Sequence, residues 1–371
     1  MAGSSGQALL APKDHPPVGP IRIGRFLLVV GLAAIVTAAS IGVVEEVDLH
    51  NTGPFNNCPG CPPALSGYVS VLSDTADLVL HTVPVGLDPI ALAYDAGTGE
   101  MFVANGESHD VSLIADDTDT VVGTIALPGW PSGAAYDPLE GDVFVSLSSA
   151  AEVVAISDRT DSVVETIAVD ASACCASLGG IVYDQARGEL FVSNDGTAQV
   201  NVINASSSRV MANLSVGILP EDLAYDGGVG EIFVANEDSN NVSVINDTTN
   251  RVVATIPVGD GPGAGVVYDS STQEIFVTDT ASNNTTVING TTNAIAATIP
   301  MGIYPAGLAC DAARGKILVS IETSDRVSII DDASDTVTAN ISLGGPLSGE
   351  TLGPILYDGG ANVVFVAWVL T

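Results

Sequence analysis

Four acidic and two aromatic residues each stand within two residues of a proline. They occupy corresponding places in the repeats described below. They are Asp88, Glu221, Asp222 and Asp260, together with Trp130 and Tyr304. Carboxylate oxygens are the ligands that Ca²⁺ prefers, and aromatic rings stack on sugars or cations. If one face of the fold collects these residues, they predict a site for a divalent cation, a cationic ligand or a sugar. The alternative is that they are solvated loop residues.

Residues suited to acid–base or nucleophilic catalysis are scarce. Of the four histidines, His109 lies between Glu107 and Asp110, but a lone histidine in a loop is typical of a solvated turn. No Ser–His–Asp or Cys–His combination fits within any one of the repeats described below. No glycine-rich phosphate loop follows a strand and opens a helix. The sequence therefore favours a protein that is not an enzyme, and we assign no catalytic residue.

A repeat with a period of 42 to 47 residues organises the chain. Its first mark is a tyrosine followed by an aspartate: Tyr94-Asp95, Tyr136-Asp137, Tyr183-Asp184, Tyr225-Asp226, Tyr268-Asp269 and Tyr357-Asp358, with Cys310-Asp311 in register. Seven residues after each aspartate stands a large apolar residue: Phe102, Phe144, Phe191, Phe233, Phe276, Leu318 and Phe365. A fixed period with fixed internal spacing indicates a repeat protein, and short strands at this period are typical of propeller blades. The repeated aspartates, tyrosines and phenylalanines therefore predict scaffold residues.

Each repeat contains four short β-type runs, and the ends of the chain set their number. The first two runs of a last repeat surround Tyr357 and Phe365, and the chain stops soon after them. The missing third and fourth runs stand at the other end, at 68–72 and 78–83. Six complete repeats and one shared repeat predict an all-β, seven-bladed β-propeller closed by pairing of its N- and C-terminal strands. Such closure leaves no open edge in the shared sheet.

Four repeats contain a motif that resembles the YVTN motif of the YVTN-type seven-bladed β-propeller family: FVAN at 102–105 and 233–236, FVSN at 191–194 and FVTD at 276–279. The run VATIPVG at 253–259 is similar to the closing strand of that family. The resemblance covers residues 64–371 and implies the same fold. Because the family includes archaeal and bacterial surface proteins without a shared chemistry, it implies a surface location but no activity. Three repeats depart from the last asparagine of the motif, at Leu147, Ile321 and Trp368.

Charge excludes one class of partner. The chain has 44 acidic and 10 basic residues, and its formal net charge is −34. Such a surface repels phosphate backbones, so we expect no binding to nucleic acid. It suits cations, basic partners, or a saline or acidic medium, and it also favours solubility at a cell surface.

The N-terminal region predicts export. Residues 1–25 are rich in Gly, Pro and Ser and are predicted to be a disordered cytoplasmic tail. Residues 26–44 form an uncharged apolar run that as a helix would span ~28 Å, close to the ~30 Å hydrocarbon core of a bilayer. Basic residues before the run and acidic residues after it predict a single-pass signal anchor in the cell membrane, with the propeller outside. If the run is instead a signal peptide cleaved near Thr37–Ser40, the protein is secreted.

Residues 45–63 are predicted to be a stalk between the anchor and a propeller over 64–371. The stalk contains Cys58 and Cys61, and no histidine follows them as haem attachment would require. Three alternatives stay open: a local disulfide, bridges from the stalk to Cys174 and Cys175, or a metal site. Outside the cell a disulfide is the default. Cys310 stands where other repeats have tyrosine and is predicted to be a buried, inert thiol.

Asn-x-Ser/Thr motifs predict glycosylation in an exported chain. The candidates in turns are Asn204, Asn241, Asn246, Asn283, Asn284 and Asn289. Asn213 and Asn340 carry the same motif but fall in predicted strands, which we expect to suit a glycan least.

These observations together predict a membrane-anchored extracellular propeller that is not an enzyme and acts in binding or in a surface layer. We expect its partner to be a cell-surface protein or a glycan, and we predict no cofactor, with Ca²⁺ as the one candidate ion. Two alternatives remain open. One is an exported metal-assisted lyase or lactonase that uses Asp222 and its neighbours. The other is a propeller subunit of a redox complex.

Overall fold

The computed structural model describes residues 66–169, 177–344 and 350–370. The predicted tail, membrane anchor and stalk lie outside the described residues. The disulfide candidates Cys58, Cys61, Cys174 and Cys175 lie outside them as well. Within the described ranges no helix has both the length and the apolar character that a bilayer span requires.

Twenty-eight strands form seven four-stranded antiparallel sheets, which confirms the predicted propeller. The first strands of blades 1 to 7 are β3 (Pro89–Asp95), β7 (Pro131–Asp137), β11 (Leu178–Asp184), β15 (Pro220–Asp226), β19 (Pro262–Asp269), β23 (Pro305–Asp311) and β27 (Glu350–Asp358). The second strands are β4 (Glu100–Asn105), β8 (Asp142–Leu147), β12 (Glu189–Asn194), β16 (Glu231–Asn236), β20 (Glu274–Asp279), β24 (Lys316–Ile321) and β28 (Val363–Leu370).

The outer half of each blade completes the sheet. The third strands are β5 (Asp110–Ala115), β9 (Glu152–Ser157), β13 (Gln199–Asn204), β17 (Asn241–Asn246), β21 (Asn284–Asn289), β25 (Arg326–Asp331) and β1 (Ser66–Ser73). The fourth strands are β6 (Thr120–Ala126), β10 (Ser162–Ala168), β14 (Arg209–Ser215), β18 (Arg251–Pro257), β22 (Ala294–Pro300), β26 (Thr336–Ser342) and β2 (Leu78–Val85). Single-turn 3-10 helices lie at Asp195–Thr197 and Ala205–Ser207.

The ring closes through its two ends. In blade 7, β1 pairs antiparallel with β28 from Ser66 opposite Leu370 to Ser73 opposite Val363. The first strands of neighbouring blades contact each other all the way round, including β27 against β3, and so they surround a central axis. The predicted closure by N- and C-terminal strands is therefore confirmed.

The core lies between the blades. Second and third strands carry Val, Ile and Phe, and most of their residues are buried because both faces of each sheet pack against neighbouring blades. The repeated phenylalanines are buried, among them Phe102, Phe191 and Phe233. Fourth strands lie at the rim and are mostly exposed. Cys310 pairs with Ile317 in the register that Tyr225 has with Ile232. The repeat that lacks the tyrosine therefore has the same strand pairing as the others.

Candidate functional site

The ring has two unlike faces. At one face, which we call the proline face, the first strands begin, five of them with a proline. This face comprises the loops before the first strands and the turns between second and third strands. At the opposite aspartate face the first strands end with their repeated aspartates, and the turns between first and second and between third and fourth strands lie here. All six predicted site residues lie at the proline face. They come from five blades and are spread round the axis, so they do not meet in one cleft.

The predicted aromatics are exposed at this face. Trp130 is 43% exposed and Tyr304 is 47% exposed. The backbone amide of Tyr304 donates to Asn283 Oδ1 at 2.9 Å, and the Trp130 amide donates to Ser149 Oγ at 3.0 Å. The His109 ring lies 5.4 Å from the Trp130 ring. Loops before first strands are thus fixed by the turn beside them, and they present their side chains outward.

Asp88 and Asp260 belong to similar loops. The carbonyl oxygen of Asp88 accepts from the Gly106 amide at 2.6 Å. Burial raises the pKa of the half-buried Asp88 carboxyl, and Glu107 adds to this effect. Asp260 is exposed, and its amide donates to Ser282 Oγ at 2.9 Å. These two acids are positioned by backbone contacts, and their carboxyls have different surroundings.

Every first strand bulges close to the proline face, where the pairing with its second strand shifts. The bulge residues, in blade order, are Ile90, Ser132, Gly179-Gly180, Glu221-Asp222, Gly263-Ala264-Gly265, Ala306-Gly307 and Gly353-Pro354. Only blade 4 places charged side chains at its bulge. A bulge re-aims side chains and is common beside functional sites. Periodicity could not have predicted this distinction, because a bulge breaks the alternation on which strand prediction rests.

Hydroxyl groups tie these bulges to the preceding blade. The donor is the third residue of the FVxN-like motif and the acceptor is a bulge carbonyl: Ser146 to Gly179 (2.6 Å), Ser193 to Glu221 (2.5 Å), Thr278 to Ala306 (2.8 Å) and Ser320 to Gly353 (2.8 Å). Blade 4 has Ala235 at the donor position and lacks this hydroxyl, as do blades 1 and 7 with Ala104 and Ala367. In blade 4, Asp222 Oδ2 accepts the Val266 amide of blade 5 at 2.8 Å. Asp222 thus serves as a tie between two blades.

Asp222 also has a perturbed pKa. Burial raises the pKa of its carboxyl to about 6, although the amides of Val266 and Leu223 favour the charged form. The side chain is half-buried, and Gly180 of the preceding blade has no side chain to cover it. Glu221 packs against Gly263 of the next blade, where a Cβ atom would meet it at 3.2 Å. Small residues on both sides therefore make room for the two acids of blade 4.

A metal site has limited support from this geometry. Within the described ranges no group of three or more His, Cys, Asp or Glu side chains converges to hold a metal ion. Ca²⁺ takes six to eight oxygen ligands. A calcium ion at this face would therefore depend mainly on loop carbonyls and water, with one or two carboxylates.

The proline face is acidic and carries exposed apolar groups. Its acids outside the core are Asp88, Glu107, Asp110, Glu152, Asp195, Glu221, Asp222, Glu237, Asp238, Asp260, Glu322 and Asp325. Of the seven Lys and Arg side chains in the described ranges, only Arg326 lies at this face. Ile218 and Ile303 add to Trp130 and Tyr304 as large exposed apolar side chains. Sequence reasoning missed both isoleucines, although each lies in a loop just before a proline-started strand.

The aspartate face is regular and buried. All seven repeated aspartates are at most 1% exposed, and each accepts the amide two residues further on at 2.7 to 3.2 Å. The repeated tyrosines contact the aspartate of the preceding blade, as Tyr268 does with Asp226 and Tyr94 with Asp358. These bonds fix the hairpin turns and link the blades, as predicted for scaffold residues.

The glycosylation candidates differ in how their amides are used. Asn204, Asn246 and Asn289 accept a backbone amide three residues on, and Asn283 accepts the Tyr304 amide. Asn241 and Asn284 use their side-chain amide nitrogens as donors to Ser239 and Ser282. All six are half-buried.

The two motifs in strands are the exposed ones. Asn213 and Asn340 lie at the same register of fourth strands β14 and β26, on the rim of the ring. Their Oδ1 atoms accept inward hydrogen bonds from Asn201 and Ser328, at 2.8 Å each. These two asparagines are exposed because an outermost strand is itself a solvent-facing position, and their lower suitability for a glycan stays a prediction.

Comparisons with known proteins identify the fold but no family. No family model matches the chain, and no curated protein matches it significantly, so membership of the YVTN-type family stays a prediction. The hydrazine synthase of Kuenenia stuttgartiensis is 18% identical, with a TM-score of 0.63, and the match covers 76% of this chain and 96% of that one. A functionally unknown protein from Desulfotomaculum acetoxidans DSM 771 is 15% identical, with a TM-score of 0.64, covering 74% and 95%. At these identities the likeness shows the propeller fold alone.

Proposed function

We propose that this chain is a membrane-anchored extracellular propeller that is not an enzyme and binds a basic protein surface through its proline face. The composition of that face carries the proposal, because its described residues include twelve acids outside the core, four large exposed apolar side chains and one arginine. Acidic groups steer a basic partner, and exposed aromatic and apolar groups supply contact area after docking. The loops are short and project from a rigid ring, which suits a binding surface.

The location of the propeller outside the cell is part of this proposal. The uncharged run at 26–44, the charges on either side of it and the resemblance to surface propellers support it. Protease added to intact cells that express the full chain should digest the propeller. Protection of the propeller until the cells are broken would overturn the surface location without affecting the binding proposal.

The binding proposal is testable by tryptophan fluorescence. The chain has two tryptophans, and in a Trp368→Phe background Trp130 alone reports on the proline face. The probe is a synthetic amphipathic peptide of lysine and leucine, compared with the same peptide carrying glutamate for lysine. We expect the basic peptide to shift the Trp130 emission, with an affinity that falls as salt is raised. Equal response to both peptides, or none, would contradict the proposal.

The two faces offer a matched control. Ile303 at the proline face and Leu139 at the aspartate face are each 62% exposed. We expect Ile303→Ser to weaken binding of the basic peptide about tenfold, about the free energy of one buried aliphatic side chain, and Leu139→Ser to leave it unchanged. No loss from either variant would show that the peptide binds by charge alone, and equal losses from both would show that binding is not specific to the proline face. Binding of a neutral oligosaccharide in place of the peptide would move the partner from a protein to a glycan.

A further inference from the structure

Carboxyl groups meet in pairs at the aspartate face. At five of the seven blade junctions, the aspartate that ends one first strand meets an aspartate from the turn after the third strand of the next blade. The pairs, with the side chain between them, are Asp358 and Asp116 at Tyr94, Asp95 and Asp158 at Tyr136, Asp184 and Asp247 at Tyr225, Asp269 and Asp332 at Cys310, and Asp311 and Asp74 at Tyr357.

Four of these pairs have a hydroxyl or a cation between them. The Tyr94 hydroxyl donates to Asp116 at 2.7 Å, and the Tyr225 hydroxyl donates to Asp247 at 3.4 Å. At Tyr357, the Arg314 guanidinium also bonds Asp74 at 2.6 Å and Asp311 at 3.3 Å, and Lys316 adds a second positive charge. Two carboxylates can share one site only if a donor or a cation compensates their repulsion.

The junction between blades 5 and 6 has neither a tyrosine hydroxyl nor a cation between its two carboxyls. Cys310 replaces tyrosine there, and a thiol is shorter than a phenol and a weak hydrogen-bond donor. Asp269 is fully buried and Asp332 is 7% exposed, and the two carboxyls are close enough for each to change the pKa of the other. Ser271 joins them, since its amide donates to Asp269 at 2.8 Å and its hydroxyl donates to Asp332 at 3.1 Å.

Neighbouring acids add to the negative charge around this pair. Asp331 acts on Asp332, and Glu274 interacts with both members. The Cys310 thiol stays neutral, because burial raises its pKa. The nearby bases Arg314 and Lys316 form their ion pairs with Asp74, Asp77 and Asp311 at the next junction. In the described part of the chain no basic side chain forms an ion pair with either member.

We propose that one proton shared by Asp269 and Asp332 closes the junction between blades 5 and 6, so that the ring is held more tightly in acid than at neutral pH. A carboxylic acid beside a carboxylate supplies a stronger donor than the Cys310 thiol, which bonds only Asp269. A shared metal ion is the less suitable bridge, because no third acidic, histidine or cysteine ligand converges in the described residues. The junction would act as a pH-sensitive element in a fold whose other junctions are bridged by tyrosine.

The direction of the pH dependence follows from the pair. Burial, and then the facing Asp269, raise the pKa of Asp332. Despite its burial, the Ser271 amide and the partner Asp332 hold the pKa of Asp269 below its usual value. The folded chain therefore keeps one proton at a pH where an unfolded aspartate, with a pKa of about 3.9, has lost it. This contribution to stability is fully present below the unfolded pKa of about 3.9, and it is lost as pH rises through the raised pKa of Asp332.

The test measures protons linked to unfolding. The chemical unfolding midpoint of the full chain is followed from about pH 4 to about pH 8, and its slope gives the protons released on unfolding. We expect Asp332→Asn to release up to one proton fewer than the wild type, because the asparagine amide replaces the protonated acid at every pH. Cys310→Tyr restores the bridge that the other junctions have and should also reduce the number. Asp247→Asn at the Tyr225 junction is the matched control and should leave it unchanged.

Several outcomes would overturn the proposal. The same proton number in the wild type and in Asp332→Asn would show that the pair shares no proton. A Cys310→Tyr variant that folds and keeps the full pH dependence would show that the missing hydroxyl is not the cause. Stabilisation of the wild type at neutral pH by Ca²⁺, absent in Asp332→Asn, would show that a cation and not a proton bridges the carboxyls. Hydrogen exchange at the amides of Ser271 and Asp332 locates the effect and should speed up with pH more than base catalysis alone explains.

Discussion

The two faces of this propeller are built from the same repeats, and they obey different rules. At the aspartate face, residues at the same position of each repeat make the same contact. Seven buried carboxylates each accept the backbone amide two residues further on. At the proline face, the loops before the first strands occupy equivalent positions but differ in residue type, as Trp130 and Asp260 do. Repetition therefore marks the residues that hold the ring together, and departures from repetition mark those free to take on a function.

Blade 4 shows where this division fails. Glu221 and Asp222 are irregular acids at the proline face, but Asp222 takes over the tie that a hydroxyl makes elsewhere. Cys310 is the opposite case, since it departs from the repeat on the face where repetition holds the structure together. An irregular residue can thus be structural, and each needs its own test.

The largest difference between the faces should appear when an aspartate is removed. Asp226 is 1% exposed, and it accepts the Gly228 amide at 2.8 Å. Asp226→Ala leaves that amide and the Tyr268 hydroxyl without their acceptor, so we expect a loss of about 2–3 kcal/mol in the free energy of unfolding. Asp238→Ala, in an exposed turn of the same blade at the proline face, should stay within about 0.5 kcal/mol. Chemical unfolding checks both, and equal losses would contradict the division of the faces.

A smaller loss of stability is expected when a hydrogen bond from a second-strand hydroxyl to the bulge of the next blade is removed. Ser193 Oγ bonds the Glu221 carbonyl of the next blade, and Ser193→Ala removes that bond without leaving a large cavity. We expect a loss of about 1 kcal/mol at neutral pH. The control is Ser206→Ala, whose hydroxyl bonds Asn204 at an exposed turn. If the two variants unfold alike, the tie between blades adds nothing to the ring.

The fold was predictable because each blade buries the same pattern. Tyrosine, aspartate and phenylalanine recur at fixed spacing, and this spacing gave the number of blades, the shared blade 7 and the place of Cys310. The start of β15 was less predictable. The structure begins it at Pro220, and the bulge at Glu221 and Asp222 interrupts the alternation from which strands are inferred.

The candidate site was predictable only as a set of positions. Prolines beside the first strands placed the six residues at one face, but contacts between blades depend on side chains far apart in sequence. The bond from Val266 to Asp222 and the approach of Asp269 to Asp332 join residues of different repeats. The sequence pattern does not predict these contacts, because the repeat spacing leaves open which side chains of neighbouring blades meet.

Asp222 should report its burial through pH. Because burial raises its pKa to about 6, its contribution to stability is full below about pH 4 and is lost as pH rises through 6. Allowing for its partial exposure, we expect the wild type to lose about 1–2 kcal/mol between these limits on account of this group. Asp222→Asn keeps an acceptor for the Val266 amide and should lack that loss. If unfolding midpoints of both chains fall in parallel with pH, Asp222 is solvated at the axis. It would then be free to bind a cation.

The smallest effect on stability is expected at Trp130, and the second tryptophan shows why. Trp368 stacks on Tyr68 with ring centroids 4.5 Å apart, and its Nε1 donates to Ser70 at 2.9 Å, so it holds together the strands that close the ring. Trp130 is fixed through its backbone, and 43% of it is exposed. Trp368 is partly buried, so Trp368→Ala should cost about 2–3 kcal/mol, whereas Trp130→Ala should change the free energy of unfolding by less than about 1 kcal/mol.

The value of Trp130→Ala lies in what it leaves intact. A variant that unfolds like the wild type, yet no longer binds the basic peptide, separates the function of the proline face from the stability of the ring. A large loss of stability would instead make Trp130 a packing residue, and its exposure would then carry no functional meaning. The binding surface would have to be sought among Ile218, Ile303 and Tyr304, the other large exposed apolar side chains of the proline face. A single exposed apolar side chain is common on a protein surface, but several on one acidic face indicate a surface that a partner covers.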